Sequence, residues 1–89
     1  MESKLTTYKN GDKVWKLPSG DLHREDGPAV ECINGYKAWF LNGNLHNKDG
    51  PAIEWGIGSK EWWINSTKYT EQEYKYKMRS RKLNKLLLE

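Results

Sequence analysis

The chain states one segment twice. Gly20-Asp21-Leu22-His23-Arg24-Glu25-Asp26-Gly27-Pro28-Ala29-Val30 returns as Gly43-Asn44-Leu45-His46-Asn47-Lys48-Asp49-Gly50-Pro51-Ala52-Ile53, offset by 23 residues. The offset persists downstream, where Gly35 and Trp39 match Gly58 and Trp62. Upstream it becomes 24, because Gly11 and Trp15 match Gly35 and Trp39. One extra residue therefore sits in Lys16-Leu17-Pro18-Ser19 relative to Phe40-Leu41-Asn42. A repeat of this period constrains the architecture before any other feature does. Each unit is one supersecondary element, and neighbouring units must stack to make a core.

The units read as β-hairpins. Lys13-Val14-Trp15-Lys16-Leu17 alternates, with Trp15 and Leu17 on one face and Val14 on the other. Asn10-Gly11, Asn34-Gly35 and Asn42-Gly43 are tight-turn signals. Asp26-Gly27 and Asp49-Gly50 are expected to supply a positive φ, and Pro28 and Pro51 to start extended segments at Ala29 and Ala52. Trp15, Trp39 and Trp62 are expected on neighbouring strands as one ladder, extended by Leu17, Leu41 and Ile64. Val14, Phe40 and Trp63 fall on the opposite face. The organisation is a lead-in over 1–9, repeats over 10–34 and 35–57, a half repeat over 58–69 and a C-terminal segment over 70–89. That lead-in is a candidate short edge strand.

The character changes at Thr70. Thr70-Glu71-Gln72-Glu73 has the form of a capping box, and no Gly or Pro follows. A helix over about 71–87 is predicted. Tyr74 and Met78 share one side of it, and Tyr76, Leu83, Leu86 and Leu87 the other. The first side is suited to the sheet; the leucines of the second either fray at the terminus or pack on a further chain or a target. The fold class is thus mainly β with a C-terminal helix (α+β), an antiparallel meander of hairpins in a single twisted sheet capped by the helix.

Charge separates the two parts. Residues 1–70 hold nine Lys/Arg and nine Asp/Glu, whereas residues 71–89 hold six and three. The net charge of +3 is a property of the last segment. One cysteine, Cys32, leaves no internal disulfide framework and suits a reducing compartment. No apolar run of twelve residues occurs, so neither a signal peptide nor a membrane-spanning helix is expected.

His23/Asp26 and His46/Asp49 are the only candidate catalytic or metal constellations. A metal needs three or four convergent ligands. Turns about two strands apart lie roughly 9–10 Å from each other, too far for one ion. The expected role is structural: Asp caps its own turn, and His packs on a Trp or bonds a backbone carbonyl. Cys32, mid-strand without a neighbouring base, reads as a buried, inert thiol. No nucleophile–base pair or phosphate-cradling loop is present, so no enzyme, no cofactor and no metal are expected.

The pattern Trp39-Phe40-Leu41-Asn42-Gly43, Leu22-His23-Arg24, Asp26-Gly27-Pro28-Ala29-Val30 and Asp49-Gly50-Pro51-Ala52-Ile53 resembles MORN-type β-hairpin repeats. It is most similar to the divergent type found in small proteins of bacteriophages and giant DNA viruses. The resemblance covers about residues 10–76, and Asn47 departs from the usual Arg. It implies a scaffold, with Gly27, Gly50, Pro28 and Pro51 as repeat positions alongside the Trp, His and Asp residues. It also implies a viral protein of the host cytoplasm, without a membrane, that binds and inhibits a host protein or protein–nucleic acid complex, in the manner of anti-CRISPR and other anti-defence proteins. Aromatics and Arg are the common anchors of interfaces, which makes Trp63, Phe40, Tyr76, Arg79, Arg81, Lys82, Leu83 and Leu86 the candidate partner contacts. Two alternatives are nucleic-acid binding through the basic helix and self-association as a homodimer through sheet edges or the terminal leucines.

Overall fold

The computed structural model describes residues 2–88, with side chains over 2–79. Among the described residues nine strands precede one helix: β1 Lys4–Thr7, β2 Lys13–Lys16, β3 Val30–Glu31, β4 Lys37–Ala38, β5 Phe40–Leu41, β6 Asn44–Leu45, β7 Ile53–Glu54, β8 Lys60–Ile64, β9 Thr67–Tyr69 and α1 Glu71–Leu88. The main sheet is seven-stranded and antiparallel, in the order β1-β2-β3-β4-β7-β8-β9, and β5-β6 forms a separate short hairpin. The lead-in supplies the edge strand β1.

Turn chemistry sets the connections. Four turns share one form, in which residue i accepts from the N–H of i+3 and donates to the C=O of i+4. They run Tyr8–Asp12, Leu17–Asp21, Cys32–Tyr36 and Trp55–Ser59, and each places a glycine at positive φ: Gly11, Gly20, Gly35 and Gly58. The other two, at Asn42-Gly43 and Asn65-Ser66, hold both residues at positive φ (50° and 80°, 46° and 64°) and join β5 to β6 and β8 to β9. Such turns match the twist of the strands they join. The extra residue of the first unit is now explained. Its loop has the three residues Pro18, Ser19 and Gly20, where the second unit has Asn42 and Gly43.

The tryptophan strands are not neighbours. β3 separates β2 from β4, and β7 separates β4 from β8. Trp15 N–H donates to Ala29 and Trp39 N–H to Ala52, each at 2.8 Å. The ladder of adjacent Trp residues is therefore replaced by Trp facing Ala across each strand pair. The extended segments are also shorter than expected. Ala29 and Val30 both stand against Ala38, and Ala52 and Ile53 both against Glu61, so each Pro-Ala step makes a bulge. Bulges bend the sheet, and the Trp39 strand splits into β4 on the main sheet and β5 on the short hairpin.

A single sheet hides little. Ala29, Ala38 and Ala52 are fully buried, and no larger side chain among the described residues is. Around them Leu17, Ile53, Ile64, Tyr74 and His23 are nearly so. The predicted capping box is present: Thr70 N–H donates to Glu73 Oε1 (2.8 Å) and Glu73 N–H to Thr70 Oγ1 (3.1 Å). It aims α1 across β8 and β9, where the buried Tyr74 ring meets Trp62 with centroids 6.5 Å apart.

Candidate functional site

The His-containing corners were the first chemical candidates, and their geometry makes them joints between units. His23 N–H donates to Trp15 C=O (3.0 Å), and His46 N–H to Trp39 C=O (3.0 Å). Their Nδ1 atoms do not bond a carbonyl. They accept the backbone N–H groups of the next unit's turn, Asn42 on His23 (2.9 Å) and Asn65 on His46 (3.2 Å). Two backbone bonds flank each joint. Arg24 donates to Phe40 C=O and Gly43 to Leu22 C=O; in the second unit Asn47 donates to Trp63 C=O and Ser66 to Leu45 C=O. An Nδ1 that accepts leaves the neutral ring's proton on Nε2. In His23 that atom is buried and faces Glu25 at 3.6 Å, beyond hydrogen-bond reach.

The two aspartates do not cap their turns, and neither Gly27 nor Gly50 has a positive φ. Asp26 instead holds Arg24, accepting from Nε at 3.0 Å. The guanidinium lies 3.8 Å from the Trp15 ring centroid and donates to Pro28 C=O at 3.1 Å, with Glu31 at 3.5 Å. Gly27 is glycine for space, since an added Cβ would meet Arg24 Cζ at 2.9 Å. Asn47 takes over one of these tasks. Its Nδ2 donates to Pro51 C=O (2.9 Å), while Oδ1 accepts Asp49 N–H (2.9 Å). The cation is therefore dispensable for closing the corner. Among the described residues no three His, Cys, Asp or Glu side chains converge as a metal site.

The second candidate is a surface. The Tyr8–Asp12, Cys32–Tyr36 and Trp55–Ser59 turns all lie at one end of the sheet and touch in sequence. Asp12 Oδ1 accepts Ile33 N–H (2.9 Å). Gly11 leaves room for the Ile33 side chain, and Gly35 for the Gly56 backbone. Upon this row stand the exposed Tyr8, Ile33, Trp55 and Ile57, the last two at 37% and 91% exposure. Tyr36 stacks on Trp55, centroids 5.9 Å apart. The Ile33 amide, then the Asn10 amide, hold the Asp12 carboxyl below its ordinary range. Cys32, expected buried in mid-strand, is half-buried and opens the turn, because β3 ends at Glu31; desolvation, and then Asp12, push its thiol up. Trp55 also opens onto a cleft of about 470 Å³ beneath the start of α1, walled by Trp62, Tyr69, Glu61 and Lys68.

The expected partner contacts scatter. Phe40 and Trp63 are half-buried, with the Trp63 indole donating to Glu61 at 2.9 Å. Tyr76 (75% exposed) and Arg79 are open on α1. The side chains of Arg81, Lys82, Leu83 and Leu86 lie outside the described residues. Sequence reasoning missed the tip row. The available signal was an isoleucine at a turn, Ile33 before Asn34-Gly35 and Ile57 between two glycines, where polar residues are usual. No helix among the described residues is long and apolar enough to cross a membrane. In comparisons with known protein families, curated proteins and solved structures, the chain matches none.

Proposed function

We propose that this is a binding protein, a MORN-like hairpin array that docks on another protein and inhibits it, as small phage-encoded inhibitors of host defence complexes do. One observation carries the reading. Tyr8, Ile33, Trp55 and Ile57 stand exposed on a row of turns that are fixed to one another by the Asp12 carboxylate and by the close approach of Gly35 and Gly56. Exposed apolar side chains grouped on a rigid frame favour association, because little entropy is lost on docking. The basic helix supports nucleic-acid binding less well. Lys75 is paired with Glu71 (3.0 Å) and Lys77 lies over Tyr69 (5.5 Å), so two of its cations are engaged within the chain.

The test is affinity capture from bacterial lysate with the wild type and with Ile33→Asp/Ile57→Asp. A stoichiometric protein recovered by the first and lost by the second supports the reading. Equal recovery by both moves the interface elsewhere, to Tyr76 and Arg79 on α1. Nucleic acid retained at moderate salt, with no protein, replaces the reading with its rival.

A further inference from the structure

β1 ends the sheet, and none of the described elements is laid over its outer edge. All four of its residues are exposed, and α1 packs at the opposite end on β8 and β9. Alternation settles which backbone groups point away. Tyr8 N–H donates to Asp12 C=O at 2.8 Å, and the same register pairs Thr6 with Val14 and Lys4 with Lys16. In an antiparallel pair, bonded residues alternate with unbonded ones. Lys4 and Thr6 therefore turn their N–H and C=O toward β2, and Leu5 and Thr7 turn theirs outward. Natural edges are blunted by short length, by lysine, by proline, by bulges or by a covering loop. Here β1 is short and carries Lys4, but no proline or bulge interrupts residues 4–7, so the outward groups of Leu5 and Thr7 remain free to pair.

We infer that β1 pairs antiparallel with β1 of a second copy, joining two sheets into one. The register sets Leu5 against Thr7 of the second copy, with Thr6 facing its own symmetry mate on the twofold axis. Both Leu5–Thr7 pairs then exchange hydrogen bonds through the outward groups. The strand is its own complement in this register. Lys4 faces Tyr8, so no like charges meet, and Thr faces Thr, a favourable cross-strand pair. Leu5 and Tyr8, 49% and 48% exposed, both gain a neighbour. A foreign strand would have to match each of these features separately; a second copy matches them by symmetry. The contact is one short strand wide, below the area of a standard interface, so the association is weak and concentration-dependent. It goes beyond the proposed docking of another protein and rests on edge geometry alone.

Sedimentation equilibrium of the full chain, over a concentration series into the millimolar range, tests this. The mass is expected to rise from monomer to dimer. Thr7→Pro removes an outward donor and no bond to β2, and should leave the melting temperature unchanged while the dimer is lost. Thr6→Lys and Thr6→Glu each place like charges on the axis. Each alone should raise the dimer dissociation constant several-fold, and an equimolar mixture of the two should restore it. A wild type that stays monomeric overturns the inference. So does a dimer indifferent to all three substitutions, or one lost only in Leu83→Glu/Leu86→Glu.

Discussion

Nδ1 of His23 accepts the backbone N–H of Asn42 at 2.9 Å, across 19 residues of chain. The ring belongs to one unit and the amide to the turn of the next. The same bond recurs between His46 and Asn65 at 3.2 Å. The imidazole thus satisfies a turn amide that its own hairpin leaves without a backbone partner, and the histidine at this place in the repeat is a fastener between units.

Replacing His23 with Ala should therefore destabilise the whole sheet. The His23 ring is 6% exposed, whereas Asn42 is exposed, so water can reach the Asn42 N–H once the ring is gone. The lost hydrogen bond should cost about 0.5–1.5 kcal/mol, before any cavity is counted. Urea denaturation should show a lower midpoint with an unchanged slope. His46→Ala should cost less, because its ring is only half-buried.

Gly27 and Gly50 occupy equivalent places but should respond oppositely to alanine. At Gly27 a Cβ meets the Arg24 guanidinium, whereas at Gly50 the nearest atom is Asn47 Nδ2 at 3.7 Å. At the first site the end of the flexible Arg24 side chain must shift and loosen its bonds to Asp26 and Pro28, which should cost about 0.5–1.5 kcal/mol. At the second, reduced freedom of the unfolded chain should stabilise by roughly 0.4–1 kcal/mol. Adding Arg24→Asn should relieve Gly27→Ala, and a double-mutant cycle by thermal melting would measure the coupling. Equal costs at the two glycines would refute the steric account.

Acid should loosen the row of turns. The Asp12 carboxyl is held below its ordinary range chiefly by the Ile33 N–H, then by the Asn10 amide. A group depressed on folding stabilises the fold above its unfolded pKa, and that contribution fades as pH falls through the folded value. Stability contributed by Asp12 should be complete at neutral pH and lost below the usual aspartate range. The melting-temperature gap between wild type and Asp12→Asn should be full at neutral pH and shrink steadily as pH is lowered below the usual aspartate range.

The helix should detach when Tyr74, the one buried anchor among its described side chains, is removed. Tyr74 is 6% exposed and packs on Trp62, while the cap pair Thr70 and Glu73 fixes where the helix begins. Tyr74→Ala should cost about 3–5 kcal/mol, and Thr70→Ala about 0.5–2 kcal/mol. In Tyr74→Ala, hydrogen exchange should rise in α1 before it rises in β2 to β4. A uniform rise across the chain would show that helix and sheet unfold as one unit.

The spacing of Gly, Trp and Asp-Gly-Pro-Ala by itself determined that this chain makes hairpins, where five of their six turns fall, and that the third unit stops halfway. Thr70 and Glu73 marked the start of the helix to the residue. These features are local: a turn needs its glycine, and a cap needs its hydroxyl and carboxylate, whatever lies beyond. The tertiary structure alone decided that alanine strands stand between the tryptophan strands, that His23 accepts from Asn42, and that Gly27 is empty for the sake of Arg24. It also gathered Tyr8, Ile33 and Ile57, far apart in the chain, on one row of turns. Each of those is a meeting of residues from different strands, fixed by register and by the bend of the bulges. Periodicity along the chain carries no information about which distant amide or side chain a residue will face.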